Sequence, residues 1–580
     1  MSEIRPDVQA ADSTGVGRRR SSTRPLLVFS LVLAAACQNP AEEPTTSPGH
    51  DSLERVAVST QGMVVSSSRP ATRAGAEILA SGGNAVDAAV AAAFGLAVAE
   101  PTQSGLGGRT QALVWHPTGE AAGVDATTEV PAGYDPSQAE PAEDGYSDIA
   151  IPGTVAGLAR VHREGGRLPW PEVIGPALRL AESGFPLSPG EAARINGIRE
   201  RLADSEGARV AFLKPDGSEW APGDILVQPW LAEVLRALSR EGPSVFYEGW
   251  VADSMTADFA RNGAAVVASD LALYEAEPAL VVRGEFGELE LVGTYLPASG
   301  ATTIEALQIV DRVELPAPAS GERYLVLGEA LLAAFQDRET ARADPRPPAA
   351  DASWITSDSL ADRRAAAIGV ASGGRARGQG PATDVESPNT SHISVVDGEG
   401  MAVAMTQSLG PTGGARVATP GLGFLYAATM GYLDRPEPGA RPWSSQSPLV
   451  GVRDGRLALV MGGAGARRII SAMVGTLVRM EVDRAHVEEA MAAPRFHPSG
   501  SWTFEEVDPS RAPVGAAAAR ASGRQVELRP SDTFFARLNV IVTDPETGRL
   551  TGVADPRWAW GGAAGPDWWS DRLGQPSEVR

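Results

Sequence analysis

Apolar residues recur at helical spacing along residues 71–101. The pattern is interrupted by Gly82 and Gly83, and Asn84 stands directly before a second, alanine-rich stretch. Glycine commonly ends a helix, and asparagine commonly begins one by accepting hydrogen bonds from free backbone N–H groups. The pattern therefore predicts two helices, the first capped by the glycines and the second begun by Asn84. Helices so rich in alanine can pack closely.

A different pattern follows in the second half of the chain. Apolar residues alternate on both sides of a turn at 397–400, so residues 393–409 are predicted to form two strands joined by that turn. Residues 456–482 predict a strand, a glycine turn and a helix in that order. Such a mixture indicates a layered α/β arrangement, although periodicity alone does not say which one.

The first part of the chain has the features of an export signal. A basic stretch at 18–24 precedes an apolar run at 26–36 that is too short to span a bilayer. Three alanines lead into Cys37, and the polar segment after it resembles the linker of a bacterial lipoprotein. We predict an export signal peptide at 1–36 and a lipid-anchored flexible linker at 37–61. The alternatives are an ordinary signal peptide with an incidental cysteine, and twin-arginine export.

No second linker or short repeat follows Gly62, which predicts one large unit after this tail. The 580 residues are 43% hydrophobic and 21% charged, as in an ordinary globular protein. The formal charge is −22, which repels polyanions. We therefore expect no nucleic-acid partner, and contact with a membrane only through the lipid anchor.

The residues that commonly bind metals or cofactors form no recognisable pattern. A single cysteine rules out an intramolecular disulfide and a cysteine-based metal cluster. The six histidines and the acidic residues show no ligand spacing, and no phosphate-binding loop of the GxxxxGK type occurs. We expect neither a metal nor an organic cofactor.

The segment NTSHISVVD, residues 389–397, is the main candidate for catalysis. A threonine hydroxyl is a weak nucleophile unless a base takes its proton. The α-amine of a threonine at the start of a chain, with a pKa of about 7.7 to 8.0, can do this. An internal threonine such as Thr390 reaches that state only if the peptide bond before it is cut.

At this point the sequence resembles the γ-glutamyltransferase family of N-terminal-nucleophile (Ntn) hydrolases. The processing site of that family is a Thr followed by Thr or Ser, then His, an apolar residue and Ser, and residues 390–394 match it in order. Further segments have family counterparts in the same order: GGNAVDAAVAAAFGLAVAEP, SGLGG, IPGTVAGL, the YEGWVADSM region, LPASGATT, RPWSSQSP, MGGAGARRII, APRFHP and ADPR.

This resemblance implies a fold and a processed form. The family fold is a four-layer αββα sandwich. Cleavage before Thr390 would yield a large subunit, 62–389, and a small catalytic subunit, 390–580, which together form one unit as a heterodimer.

The resemblance also implies roles for individual residues. Thr390 would be the nucleophile and, through its amine, the general base, after it had cut its own bond to Asn389. Ser408 stands where the family has Thr, and its hydroxyl could hydrogen-bond to the nucleophile. The backbone N–H groups of Gly465 and Ala466 would form the oxyanion hole.

Ser444 and Ser445 match the pair that holds the substrate carboxylate in the family. The arginine that grips the same carboxylate is missing, because Thr127 occupies the corresponding segment. Arg109, at a position where the family usually has Gly, is a candidate for supplying that charge from another direction.

The residues expected to bind a glutamyl α-amine are also replaced. An Asn becomes Gly410, a Gln becomes Thr429 and an acidic residue becomes Tyr432, so Thr429 stands at a substrate-binding position with different chemistry. The short segment between Leu433 and Pro442 lacks the lid loop of many members, which predicts an open site.

Three functions remain open from the sequence. The leading one is an exported, self-processing γ-glutamyltransferase-like amidohydrolase or acyltransferase that cleaves γ-glutamyl amides such as glutathione. The second is an acylase for another acyl group, related to cephalosporin acylases or to enzymes that process polymers. The third is a surface binding lipoprotein that has lost catalysis, although the retained Thr390, Ser408 and glycine turn argue against it.

Overall fold

Two seven-stranded antiparallel sheets form the centre of the molecule. The computed structural model describes residues 53–135, 145–318, 320–343, 352–368, 389–433, 436–507, 513–531 and 534–573. The predicted signal peptide, Cys37 and most of the predicted linker lie outside these residues.

Sheet A has the strand order β1-β18-β17-β13-β12-β9-β8. Its strands in that order are β1 Val56–Ser59, β18 Leu550–Ala554, β17 Arg537–Thr543, β13 Arg456–Ala464, β12 Leu449–Arg453, β9 Leu289–Thr294 and β8 Val281–Phe286.

Sheet B has the strand order β19-β2-β10-β11-β3-β4-β7. Its strands in that order are β19 Gly562–Ala564, β2 Gly62–Ser66, β10 Ser391–Asp397, β11 Ala402–Ser408, β3 Arg109–Trp115, β4 Ala121–Ala126 and β7 Glu277–Ala279. Two small sheets consist of β5 Phe185–Pro186 with β6 Ile225–Leu226, and of β14 Phe496–Ser499, β15 Trp502–Glu506 and β16 Gln525–Arg529.

Helices pack outside both sheets. Their bounds are α1 Arg69–Ala80, α2 Ala85–Ala99, α3 Thr154–Gly165, α4 Trp170–Ser183, α5 Pro189–Gly197, α6 Arg199–Asp204, α7 Glu206–Phe212, α8 Pro229–Glu241, α9 Ser244–Tyr247, α10 Trp250–Asn262, α11 Ala268–Leu273, α12 Gly300–Asp311, α13 Gly321–Ala343, α14 Asp358–Ala367, α15 Arg468–Glu481, α16 Val487–Ala492, α17 Val514–Ala521 and α18 Pro566–Leu573. Short 3₁₀ turns occur at Tyr146–Asp148, Ala352–Trp354 and Met430–Tyr432.

Alternate residues of each strand face opposite sides of its sheet, and this separates three apolar layers. In β10, Ile393 and Val395 face the cluster that contains α2, whereas Val396 faces sheet A. In β13, Val460 faces sheet B, whereas Met461 belongs to the cluster that contains α12, α13 and α15. The layer order is therefore helices, sheet B, sheet A, helices, and the mixed α/β class with antiparallel sheets is confirmed.

The predicted elements occur close to where the patterns place them. Asn84 begins α2 with a reciprocal capping box, in which its side chain accepts from the N–H of Asp87 and its own N–H donates to the Asp87 carboxylate. The first helix ends at Ala80 with Ser81 as its cap, and Gly82 follows with a φ of 88°. The hairpin of β10 and β11, and the succession of β13 and α15, are also as predicted.

The end of the predicted linker needs correction. Residues 56–59 form β1, which pairs with β18 at the edge of sheet A, and Ser59 is buried. Val56 and Ala57 of this segment pack against the apolar clusters on opposite sides of sheet A, so the segment completes the sheet edge. The folded part therefore begins before Gly62.

A histidine lies in the mostly apolar space between the sheets. His392 of β10 is fully buried, and its two ring nitrogens are 2.7 Å from Thr406 Oγ1 and 3.1 Å from Ser394 Oγ. Opposite it in β13, a Cβ on Gly462 would come within 2.2 Å of the ring, so only glycine fits there. Burial lowers the pKa of His392 to about 3, which keeps the imidazole neutral.

This burial makes the fold sensitive to acid. Between pH 6.5 and about pH 3 the unfolded chain binds a proton on His392 that the folded chain does not, so stability falls as the pH falls through this range. At pH 4.5 the loss from this residue is about 3 kcal/mol relative to pH 7. His392→Asn keeps an amide near Nδ1 but cannot titrate. Urea midpoints at the two pH values should therefore fall less for the variant than for the wild type, and equal falls would contradict this assignment.

Candidate functional site

Thr390 lies immediately before β10, at one end of the space between the sheets. Even-numbered residues of β10 face sheet A, and Thr390 continues that alternation. Its hydroxyl donates to Ser408 Oγ at 3.1 Å, as the resemblance implied. Ser408 is the last residue of β11, and the two side chains are neighbours because the hairpin register continues one residue beyond the Ser391–Gln407 pair. Thr390 is 8% exposed.

Ser408 also contacts the peptide bond that would be cut. Its hydroxyl donates to the carbonyl oxygen of Asn389 at 2.9 Å, and its Oγ accepts from the N–H of Gly410 at 3.0 Å. The Asn389 side chain donates to Thr412 Oγ1 at 2.7 Å. Hydrogen bonds from the side chains of Asn389 and Thr390 thus fix the residues on both sides of this peptide bond, and the Ser408 hydroxyl polarises its carbonyl group.

Arg109 continues the row formed by Thr390 and Ser408. Arg109 is the residue of β3 directly opposite Ser408, so both side chains lie on the same face of sheet B. Arg109 as a whole is 5% exposed, and its guanidinium donates to the carbonyl oxygen of Trp443 at 3.3 Å and lies 5.2 Å from the centre of the Tyr432 ring. The structure therefore brings Arg109 to the candidate site.

Thr127 stands one strand further along the same row. It follows Ala126, the last residue of β4, and its hydroxyl accepts from Gln111 Nε2 at 2.7 Å, which places it on the face that also carries Arg109. Adjacent strands are about 4.8 Å apart. The backbone of Arg109 therefore lies one strand away from that of Thr127, the position that corresponds to the family arginine.

Ser444 and Ser445 directly follow Trp443, whose carbonyl oxygen accepts a hydrogen bond from Arg109 of this row. The backbone around Ser444 is fixed by its own N–H, which donates to Pro297 O at 2.8 Å, and by Ser299 Oγ, which donates to Ser444 O at 2.7 Å. Ser444 Oγ accepts from the N–H of Gln446. The Trp443–Ser445 segment therefore lies between sheet B and the helices of sheet A.

The glycine turn after β13 has an unusual backbone. Gly465 has a φ of 143°, and a Cβ there would come within 2.6 Å of Ala536 Cα. Ala466 has a φ of 55°, in the left-handed region that alanine rarely adopts. Within the described part of the chain, neither N–H donates a hydrogen bond. Two backbone donors thus remain available just before α15.

A chain of contacts places this turn at the Thr390 end of the sandwich. Ala464, the last residue of β13, pairs with Arg537 of β17. Arg537 donates to the side chain of Gln103 at 2.8 Å, and Gln103 O accepts from the N–H of Leu409, the residue after Ser408.

Gly410, Thr429 and Tyr432 meet close to Arg109. A Cβ on Gly410 would be 3.2 Å from the Thr429 methyl group and 3.3 Å from the Tyr432 hydroxyl. The Thr429 hydroxyl is 2.6 Å from that of Thr128. Hydroxyl and aromatic groups therefore occupy the place where the family has amide and acidic side chains.

Two buried acids behind the nucleophile were not predicted. Glu100, at the end of α2, accepts hydrogen bonds from the hydroxyls of Ser67 and Ser391. Glu191 accepts from the N–H of Thr102 at 2.8 Å, and burial raises its pKa to about 7. Glu100 follows a helix whose other residues are all apolar except Asp87, and a charged residue in that position was the available signal.

Within the described ranges, no group of His, Cys, Asp and Glu side chains could hold a metal ion. No helix in the same part of the chain is long and apolar enough to cross a membrane.

Known proteins are similar to this chain in sequence and in architecture. The family described as Gamma-glutamyltranspeptidase matches residues 71–565. Acylase ACY 1 proenzyme of Pseudomonas sp. (strain V22) is 32% identical over 86% of this chain and 93% of its own length. Glutathione hydrolase proenzyme of Escherichia coli (strain K12) is 30% identical, over 92% and 97%.

Among solved structures, cephalosporin acylase from Bacillus halodurans matches with a TM-score of 0.80 and 26% identity, over 90% of this chain and 99% of that chain. The family match covers every strand of the two sheets except β1 and β2, and it includes Thr390 and its predicted partners. The chain therefore belongs to the γ-glutamyltranspeptidase family and is an amidohydrolase or acyltransferase of the N-terminal-nucleophile type.

Proposed function

We propose that this chain cuts itself before Thr390 and then hydrolyses amides through an acyl group carried on that threonine. The observation that carries the proposal is the hydrogen-bond chain from the Thr390 hydroxyl to Ser408 and on to the carbonyl oxygen of Asn389. The word proenzyme in the names of two relatives also supports it.

Self-cleavage requires an attack by Thr390 Oγ on the carbonyl carbon of Asn389. The hydroxyl of Ser408 stabilises the oxygen that gains charge, and the acyl group moves from nitrogen to oxygen. Water then hydrolyses the ester, which leaves a carboxylate on Asn389 and a free amine on Thr390. The products are a large fragment that ends at residue 389 and a small fragment, 390–580.

The same atoms then act on a substrate amide. The new amine takes the proton of the Thr390 hydroxyl, which attacks the substrate carbonyl and forms a tetrahedral oxyanion. The N–H groups of Gly465 and Ala466 are the donors assigned to that oxyanion. The leaving amine departs with the proton, and water or a second amine attacks the ester to release the acyl group.

The surrounding charges favour an acyl group that carries a carboxylate but no α-amine. Arg109 supplies a buried cation next to Ser408, on the row that begins with Thr390, and Ser444 and Ser445 supply hydroxyls. No acidic side chain stands at positions 410, 429 or 432 to receive an ammonium group. A glutaryl-type acyl group fits this chemistry best, and the acylase among the relatives is consistent with it.

A γ-glutamyl group, as in glutathione, is the second candidate for the acyl group. It has the same carboxylate, and a glutathione hydrolase of similar length is among the relatives. Its ammonium group would lack an acidic partner and would lie near the Arg109 guanidinium.

Maturation tests the first step. We expect purified protein to separate on a denaturing gel into two fragments, with Thr390 at the new N-terminus. Thr390→Ala should remain one chain and be inactive. Ser408→Ala should process about 10-fold more slowly or worse, because the Asn389 carbonyl loses a donor. An intact wild-type chain that hydrolyses amides would contradict the mechanism.

The role of Arg109 is tested with two matched anilides. Glutaryl and pentanoyl p-nitroanilide differ only by a carboxylate in place of a methyl group. Loss of a charge-assisted contact of roughly 1.5 to 3 kcal/mol should lower kcat/KM of Arg109→Met for the glutaryl substrate by about 10- to 150-fold relative to the pentanoyl substrate. Equal losses on both would mean that Arg109 acts only through its contacts with Trp443 and Tyr432.

We also propose that the protein is exported and anchored through lipid on Cys37, which rests on the basic stretch, the apolar run and the alanines before it. Mass spectrometry of the mature large fragment should find residue 37 at its start with lipid attached, and Cys37→Ser should no longer fractionate with membranes. Unlipidated wild-type protein in the soluble fraction would contradict the lipid anchor and would not affect the enzymatic proposal.

A further inference from the structure

Two buried arginines hold the Trp443–Ser445 segment from opposite sides. Arg109 of β3 in sheet B donates to Trp443 O at 3.3 Å. Arg338 of α13, in the helix layer on sheet A, donates through Nη1 to Ser445 Oγ, also at 3.3 Å. Both side chains are almost completely buried, at 5% and 4% exposure. The contact from Arg338 has no role in the catalytic steps described above.

The contact from Arg338 changes what the Ser445 hydroxyl can do. A serine hydroxyl has one proton to donate and two lone pairs to accept with. When a lone pair receives a guanidinium N–H, the hydroxyl proton is left to donate elsewhere, and the cationic donor makes it a stronger hydrogen-bond donor. The Ser445 hydroxyl is therefore oriented to donate a hydrogen bond to an anion, and less able to accept a further hydrogen bond from a neutral or cationic group.

Further positive charge lies on the same helix. Arg342 is 5.7 Å from the centre of the Trp443 ring, and it shares the carboxylate of Glu339 with Arg467, at 2.6 and 3.1 Å. Arg467 directly follows Ala466 of the glycine turn. One carboxylate therefore serves two guanidinium groups between the glycine turn and the serine pair, in a chain whose net charge is −22.

The acid next to Arg338 in sequence is already engaged. Asp337 accepts from Arg364 of α14, with Nε at 2.7 Å, and it lies beside the buried Glu305 of α12. Its interactions connect helices within the outer layer. Asp337 thus stabilises the packing of the outer helices, whereas Arg338 contacts the loop at the site.

We propose that Arg338 is a positioning residue that orients Ser445 to donate to the carboxylate of an anionic acyl group, and that it sets the preference of the enzyme for such groups. This inference rests on the proposed function, since Ser445 must face the acyl group of the substrate. Arg109, from sheet B, and Arg338, from the helix layer on sheet A, then lie on opposite sides of one carboxylate subsite.

Free glutarate and pentanoate test the subsite without any turnover. Glutarate should raise the Tm of the wild-type protein and pentanoate should not, because only glutarate has the second carboxylate. Arg338→Met and Ser445→Ala should each abolish most of the glutarate shift. Arg363→Met, which removes an exposed arginine from α14, should retain it. A glutarate shift that persists in Arg338→Met would overturn the proposal.

Kinetics with the two anilides separates positioning from general damage. Arg338→Met should lower the ratio of kcat/KM for glutaryl over pentanoyl p-nitroanilide by about tenfold, mainly through a higher KM, and Arg338→Lys should recover part of it. The double variant with Ser445→Ala should lose no more than either single variant, because both changes remove the same donor. Additive losses, or equal losses on both substrates, would refute the assignment.

The two proposals fail in different ways. If the wild type cleaves neither anilide yet shows the glutarate shift and its loss in Arg338→Met, the proposed reaction is wrong and the subsite stands. If it cleaves both anilides equally well and glutarate causes no shift, the reaction stands and the inference about Arg338 is wrong.

Discussion

The candidate site depends on the pairing register between β10 and β11. Opposite residues on neighbouring strands share a face, so a slip by one residue would turn Ser408 away from Thr390 and also from the space between the sheets. Asp397 fixes this register at the turn, because its carboxylate accepts from the N–H groups of Glu399 and Met401 and from that of Ala85 at the start of α2. One carboxylate therefore connects the hairpin to the most buried helix of the outer layer.

The space between the sheets becomes more polar towards the end at which Thr390 lies. Apolar side chains fill most of it, but towards Thr390 it contains a neutral histidine and then the row of Thr390, Ser408 and Arg109. Burying these groups is costly unless each is hydrogen-bonded, and His392 meets that requirement through two hydroxyls. The candidate nucleophile Thr390 thus stands at the end of the core, and strand pairing holds its hydrogen-bond partner Ser408 in place.

The groups to which we attribute substrate preference lie where the two sheets and their helices converge. Arg109 comes from sheet B, Arg338 from a helix on sheet A, and Ser445 from the loop between them. The arginine that the family places near position 127 is replaced, but position 109 is its neighbour on the adjacent strand and can direct a guanidinium to the same region. If Arg109 replaces that arginine as we propose, the site keeps a cation, but the cation contacts Trp443 and Tyr432 and comes from a different strand.

The sequence by itself determined the helix pair begun by Asn84, the β10–β11 hairpin and the strand, turn and helix around Gly465, because each depends on periodicity and turn residues over a short stretch. The order of motifs also led to the prediction that Thr390 is the nucleophile and to its candidate partners. Sequence patterns missed β1, whose four residues become a strand only by pairing with β18, almost 500 positions away. They also missed Glu100 and Arg338, because the importance of these buried charges lies in their hydrogen bonds to Ser391 and Ser445, which are distant in the sequence. Only the tertiary structure decided that Arg109 lies beside Ser408, because cross-strand register is a relation between distant segments that no local pattern encodes.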